Sequence, residues 1–138
     1  MSDAVALARL RCLETSALTA LVGTRVYTGI LPQSVTVPAV LIELVGGFQD
    51  GHLRGGNSLR MTRIQITAVA ATRAEAVAVQ AAIDGDNAGS ALAYWRGGIG
   101  SPAVQVSLCE PVGDPREEYV AGELRQFRRQ QDFRMYHR

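Results

Sequence analysis

Residues 58–83, SLRMTRIQITAVAATRAEAVAVQAAI, constrain the fold more than any other part of this chain. Ile64, Ile66 and Ala68 alternate with Gln65, Thr67 and Val69, the period of a half-buried strand. Thr72 then stands three residues before Glu75. This is a capping box, in which each side chain can satisfy an orphan backbone N–H at a helix start. Ala76, Val79 and Ile83 recur on one helical face, and Gly85 is placed to end the helix in a left-handed conformation. No reactive residue sits at the turn, so the unit reads as an α/β packing module rather than a catalytic loop. The strand also slips in phase. Leu59 and Met61 are apolar at odd positions, Ile64, Ile66 and Ala68 at even ones. A bulge at Thr62–Arg63 would reconcile them. Alternatively, Leu59 and Met61 face another partner, such as a second subunit.

Upstream, Ser2 can cap a first helix, with Asp3 favourable against its dipole. Ala6, Leu10, Leu13 and Ala17 would share a face of that helix. Thr15 or Ser16 can restart a second short helix carrying Leu18, Leu21 and Val22, which Gly23 stops. RVYTGIL reads as a short strand broken at Pro32. PAVLIELV, from Pro38 to Val45, is apolar on both faces apart from Glu43, as expected of a central strand. Residues 46–57, GGFQDGHLRGGN, hold five glycines and read as a long connection exposing Phe48, His52, Leu53 and Arg54.

Downstream of the helix, residues 84–102 read as irregular around Tyr94 and Trp95. AVQVSLC is a strand with Val104, Val106 and Leu108 inside, ended by Pro111, Gly113 and Pro115. DPREEYVAGE reads as a charged connection. The closing LRQFRRQQDFRMYHR fits a strand with Phe127, Phe133 and Met135 on one face, or a helix with Leu124, Phe127, Gln131 and Met135 on one face. The strand is preferred because aromatic residues suit a pleated surface. The order α, α, β, β, β, α, β, β implies an α+β fold: a small, mainly antiparallel (mixed) sheet with helices packed on it. One domain spanning 1–138 is expected, without a linker or internal repeat.

Charge excludes some functions. Fourteen basic residues face 13 acidic ones, for a net charge of +1, so no global field attracts nucleic acid or a membrane. All 14 basic residues are Arg. A GC-rich genome explains that, and Arg's planar fork also suits subunit interfaces. Cys12 and Cys109 lack metal-ligand spacing and read as reduced, small apolar residues. No signal peptide is visible, and no stretch approaches the roughly 20 apolar residues of a membrane span. Synthesis and assembly in the cytoplasm are expected.

Catalytic patterns are missing. His52 and His137, the only histidines, have no clustered metal-ligand partners, and no G-x-S-x-G elbow occurs. Asp84 and Asp86 match no calcium loop and read as a solvated helix terminus. Gly97–Gly98 and Gly46–Gly47 do not open a helix, so they read as turns rather than phosphate cradles. Glu43 would pair with Arg25 or Arg63. Glu117 and Glu118 read as a solvated loop or as contacts for a neighbour's arginines. Arg125, Arg128, Arg129, Arg134 and Arg138, interleaved with Phe127, Phe133 and Tyr136, could bind single-stranded nucleic acid, although an interface or solvated face is the plainer reading. No catalytic residue, metal or cofactor is expected.

Four pieces of the chain resemble the tail completion, or tail terminator, proteins of long-tailed bacteriophages and gene transfer agents. They are LTALVGTRVYTGILPQ, VPAVLIEL, RIQITAVAATRAEAVAVQAAI and QQDFRMYHR. The resemblance implies a small α/β fold and a structural, non-enzymatic role in the virion, at the head-proximal end of the tail. Such proteins form a ring, commonly a hexamer, that stops tube polymerisation and offers the head–tail joining surface. The implied partners are further copies of the chain, the tail tube protein and the head–tail connector or neck protein, with no membrane and no direct nucleic-acid recognition. A head-closure protein at the same junction is the related alternative, and a nucleic-acid-binding module is the alternative from another class. Interface elements are expected in the 46–57 loop and the 114–123 connection. The expected residues are Phe48, His52, Arg54, Leu59, Met61, Arg116, Glu117, Glu118, Arg128 and Arg129.

Overall fold

Asp3 caps the first helix: its carboxylate accepts from the Val5 N–H at 3.0 Å. The computed structural model describes residues 3–49, 60–84, 91–100, 103–121 and 126–137, with Phe48 and Gln49 described by their backbone. Helix α1 (Ala4–Glu14) is rich in Ala, Leu and Arg, all strong helix formers. It stops at Thr15, whose hydroxyl donates to the Arg11 carbonyl at 2.8 Å. The chain restarts as α2 (Ser16–Val22), which Gly23 ends at φ 60. Helix α3 (Arg73–Asp84) follows Thr72, whose hydroxyl accepts from the Glu75 N–H at 3.3 Å.

The strands are β1 (Val26–Thr28), β2 (Ala39–Gln49), β3 (Arg60–Ala70), β4 (Trp95–Ile99), β5 (Val104–Val120) and β6 (Gln126–His137). They form one sheet in the order β1-β2-β3-β6-β5-β4. β1 pairs parallel with β2, and every other pairing is antiparallel. β6 lies between β3 and β5, so the closing segment is a strand at the centre of the sheet. All three helices pack on one face, against a core that includes Leu18, Val40, Ile42, Ile64, Ile66, Ile83, Phe133 and Met135. The fold is therefore α+β with a mixed, mainly antiparallel sheet, as the sequence implies.

Several local expectations are corrected. The bulge lies across from Thr62–Arg63, on the partner strand. Leu44 pairs with Ile64 and Gly46 with Arg63, which leaves Val45 as the extra residue of β2, while β3 runs unbroken along β6. β3 is also more than half-buried, since Thr67 and Val69, on the face away from the helices, are as inaccessible as Ile66 and Ala68. In α1 the buried face is Ala4, Leu7, Ala8 and Cys12, and Leu10 is exposed. In α2, Leu18 and Val22 are buried while Leu21 is exposed.

Gly46 to Gln49 belong to β2, and Gly97 and Gly98 belong to β4, a strand in the segment read as irregular. β5 does not stop at Pro111 or Pro115 but continues to Val120, so most of the supposed charged connection is strand. Its register shifts between Val106 and Leu108. Cys109, not Leu108, therefore takes the next core position. Both cysteines are free and buried. Asp84 accepts from the Gln80 side chain at 2.7 Å. Gly85, Asp86, Arg125 and Arg138 lie outside the described residues.

Candidate assembly surface

Directly paired residues share a face of a sheet. The pairs Gln65–Asp132, Arg63–Arg134 and Thr67–Gln130 thus lie opposite the helix-covered Ile64 and Ile66. Asp132 is the anchor of this helix-free face. Only 6% of its side chain is exposed, and it accepts from Arg63 Nε and Nη2 at 2.9 and 2.7 Å and from Arg116 Nη2 at 3.2 Å. Both carboxylate oxygens are used, one by the Arg63 fork and one by Arg116, so the buried charge is compensated. Arg134 and Glu110 pair at 3.5 Å on the same face. Next to Asp132, but on the helix side, buried Gln131 donates to the Val112 and Gly113 carbonyls at 3.0 and 3.1 Å, where the register of β5 breaks.

A second polar node lies on the helix side. Glu117 receives Arg73 from the start of α3 at 2.9 Å and also receives Arg129 of β6. Arg129 bonds the Gln80 side chain of α3 as well. The hydrogen bond from Arg73, with the charges of Arg73 and Arg129, holds the Glu117 carboxyl below the usual carboxylate range. This node clamps α3 to the sheet.

The expected interface residues are thus distributed as follows. Phe48 and Met61 sit opposite each other in the β2–β3 register. Arg116 is committed to Asp132, and Glu117 and Arg129 to each other. Glu118 and Arg128 are paired in register between β5 and β6, and Arg128 also bonds Gln126. His52, Arg54 and Leu59 lie outside the described residues. The C-terminal arginine–aromatic run is split in the same way. Phe133 is in the core, Phe127 packs on Tyr119 with ring centroids 4.8 Å apart, and Arg129 and Arg134 face carboxylates. Glu43 does not take the arginines expected for it, because Arg25 donates to the Pro38 carbonyl and Arg63 to Asp132.

Exposed apolar side chains mark a surface that sequence patterning misses. Ile30 is 81% exposed, Leu44 66% and Val45 51%, all at the β1–β2 end of the sheet. Tyr94, 63% exposed, precedes β4 at the other end. A run such as LIELV signals burial, and only the β1 boundary reveals that, among the described residues, its second half has no strand on the side away from β3. Among the described residues, no group of His, Cys, Asp and Glu is placed to hold a metal ion. Among the described residues, likewise, no helix is long and apolar enough to cross a membrane.

A chain from a solved structure described as "Virion of native gene transfer agent (GTA) particle" superposes with a TM-score of 0.56 at 21% identity, covering 99% of this chain and 98% of that one. At that identity the likeness is one of fold. No curated protein matches the sequence. The family described as "Tail completion protein gp17" matches residues 7–95, more than half of the chain. This span runs from α1 to the start of β4 and includes the strand–helix unit that dominates the sequence. The chain belongs to the tail completion protein gp17 family and is a structural protein of the virion tail.

Proposed function

We propose that this protein is a tail terminator, acting as a ring of identical subunits at the head-proximal end of the tail tube. Membership of the tail completion family is the observation that carries this reading. The ring, a hexamer by resemblance to the family, ends tube polymerisation with one face and offers the other to the connector or neck protein. Residues 1–138 act in it as one unit.

The surface agrees with such a role. Among the described residues, the four most exposed large apolar side chains, Ile30, Leu44, Tyr94 and Val45, lie at two different ends of the sheet rather than in one self-complementary patch. Contacts between unlike patches are heterologous, and they close into rings when the rotation allows. On the helix-free face Arg63, Arg116 and Arg134 are occupied by carboxylates of the same chain, which counts against a cationic groove for a nucleic-acid strand there.

Mass in solution and negative-stain imaging, each with and without purified tail tubes, test the proposal. Closed rings, free or on tube ends, are expected. The protein should also copurify with tails made in a head-defective background, which a head-closure protein would not do. A chain that stays monomeric and ignores tube ends would overturn the reading.

A further inference from the structure

We propose that neighbouring copies join edge to edge through their sheets, the open half of β2 in one copy receiving β4 of the next. This inference rests on the ring reading and specifies its interface.

β1 covers only part of β2. Its three residues pair with Val40, Leu41 and Ile42, and the last rung is the Gly29 N–H to the Ile42 carbonyl at 2.9 Å. The chain then turns away, with the Ile30 N–H bonded back to the Thr28 carbonyl. Among the described residues, Glu43 to Gln49 have β3 on one side and no strand on the other. The Val40 N–H and the Ile42 carbonyl both point towards β1. Backbone groups alternate in direction along a strand, so the N–H and C=O of Leu44 point to that same open side. This stretch contains no proline and no cation, and the edge protection it does carry is confined to Glu43 and the Val45 bulge. The side chains bordering it are Ile30, Leu44 and Val45, all exposed.

At the opposite end, among the described residues, β4 pairs with β5 alone. It is free of proline, and its five residues span roughly 16 Å, which fits within the seven-residue stretch left open on β2, roughly 23 Å long. The rest of the β5 edge is unsuitable. Pro111, Pro115 and the register shift between Val112 and Arg116 interrupt its ladder. Tyr94 stands at the start of β4 with φ 57, a left-handed conformation that a residue with a Cβ adopts at a cost. There it displays its ring to solvent beside the buried Trp95.

Charge supports the same pairing. Glu43 is opposite Gln65, on the helix-free face. Arg96 lies at the register shift between Trp95 and Gly97, and because Trp95 and Ile99 both take core positions, the alternation along β4 puts Arg96 on that face too. In a sheet continued from one copy to the next, the carboxylate and the guanidinium share one side of the junction. Direction is also consistent. Four successive antiparallel pairings separate β2 from β4, so the two strands run the same way. Rotation about an axis along the strands then pairs them parallel. The two edges are different surfaces, so every copy keeps one for each neighbour, and a second copy of this chain supplies both.

Ring formation by E43R, R96E, the E43R/R96E double variant and L44K, measured by native mass spectrometry and sedimentation beside wild type, tests this. Circular dichroism and melting confirm folding, and V45K replaces L44K if that variant melts early. The single reversals should weaken association by at least about tenfold, the double reversal should regain most of it, and L44K should abolish rings. If wild type forms rings and L44K or both single reversals do so undiminished, the edge pairing is overturned while the ring stands. If wild type forms no rings, alone or on tubes, the ring reading itself fails and the edge pairing with it.

Discussion

A methyl group on Gly47 would lie 2.3 Å from the Met61 carbonyl oxygen and 2.9 Å from the Thr62 Cα. Both are backbone atoms of β3 and cannot turn aside. Gly46, one residue earlier, has nothing within 4 Å of the same position. Gly47→Ala should therefore destabilise the protein by about 1–3 kcal/mol, as overpacking does, and Gly46→Ala should be close to neutral. Urea unfolding midpoints of the two variants check the contrast. The cysteines allow another test at this scale. Burial pushes the Cys12 thiol up to about 12. Burial also raises Cys109, with further contributions from Cys12 and Glu110, so the two thiols are close enough to feel one another. Neither is a thiolate at neutral pH, and a thiol reagent should modify both only after unfolding. Fast labelling of the native protein would contradict this.

Helix α3 joins two kinds of information. Its start is local, because Thr72 caps it through the Glu75 N–H. Thr72→Ala should cost about 0.5–2 kcal/mol, read as a lower melting temperature with the fold retained. Its position is not local, because Arg73, Gln80, Glu117 and Arg129 meet from α3, β5 and β6. The strand–helix unit was legible in the sequence because its periodicity is internal to it, and the closing strand because its aromatic residues suit a pleated surface where its periodicity fits strand and helix alike. β4 was not, since five residues containing Gly97 and Gly98 carry almost no pattern. The length of β5 was hidden by Pro111 and Pro115. Proline is tolerated there because β4 ends its pairing at Cys109, so beyond that point the outer side of β5 needs no ladder hydrogen bond.

At the scale of the whole molecule, buried His137 links stability to pH. Its Nε2 is 3.0 Å from the Thr62 hydroxyl. Burial, with the charge of Arg60, lowers its pKa below the ordinary 6.5, against a smaller opposing pull from Asp3. Between its folded value and 6.5, the unfolded chain takes up a proton that the native chain refuses. Stability therefore rises with pH through that window and is lost as pH falls through it from 6.5. Wild type should show a lower urea midpoint at about pH 5.5 than at about pH 7.5, and His137→Asn should lose much of that difference. An equal pH dependence in the variant would assign the effect to other groups.

The candidate surface was less legible than the fold. Arg116, Glu117 and Arg129 were found as charges, but their partners Asp132, Arg73 and Gln80 are up to dozens of positions away and meet them only across strands. The sequence by itself determined the α+β class, the capped helix α3, the ends of α2, the strand character of both core-forming segments and the resemblance to tail completion proteins. Those features depend on periodicity, capping and turn residues, which act over a few positions. Only the tertiary structure decided which face of α1 is buried, on which strand the bulge falls and which half of β2 lies open. Each of these depends on the neighbour a residue meets, and the chain order does not state that β6 enters between β3 and β5 or that β1 ends at Thr28.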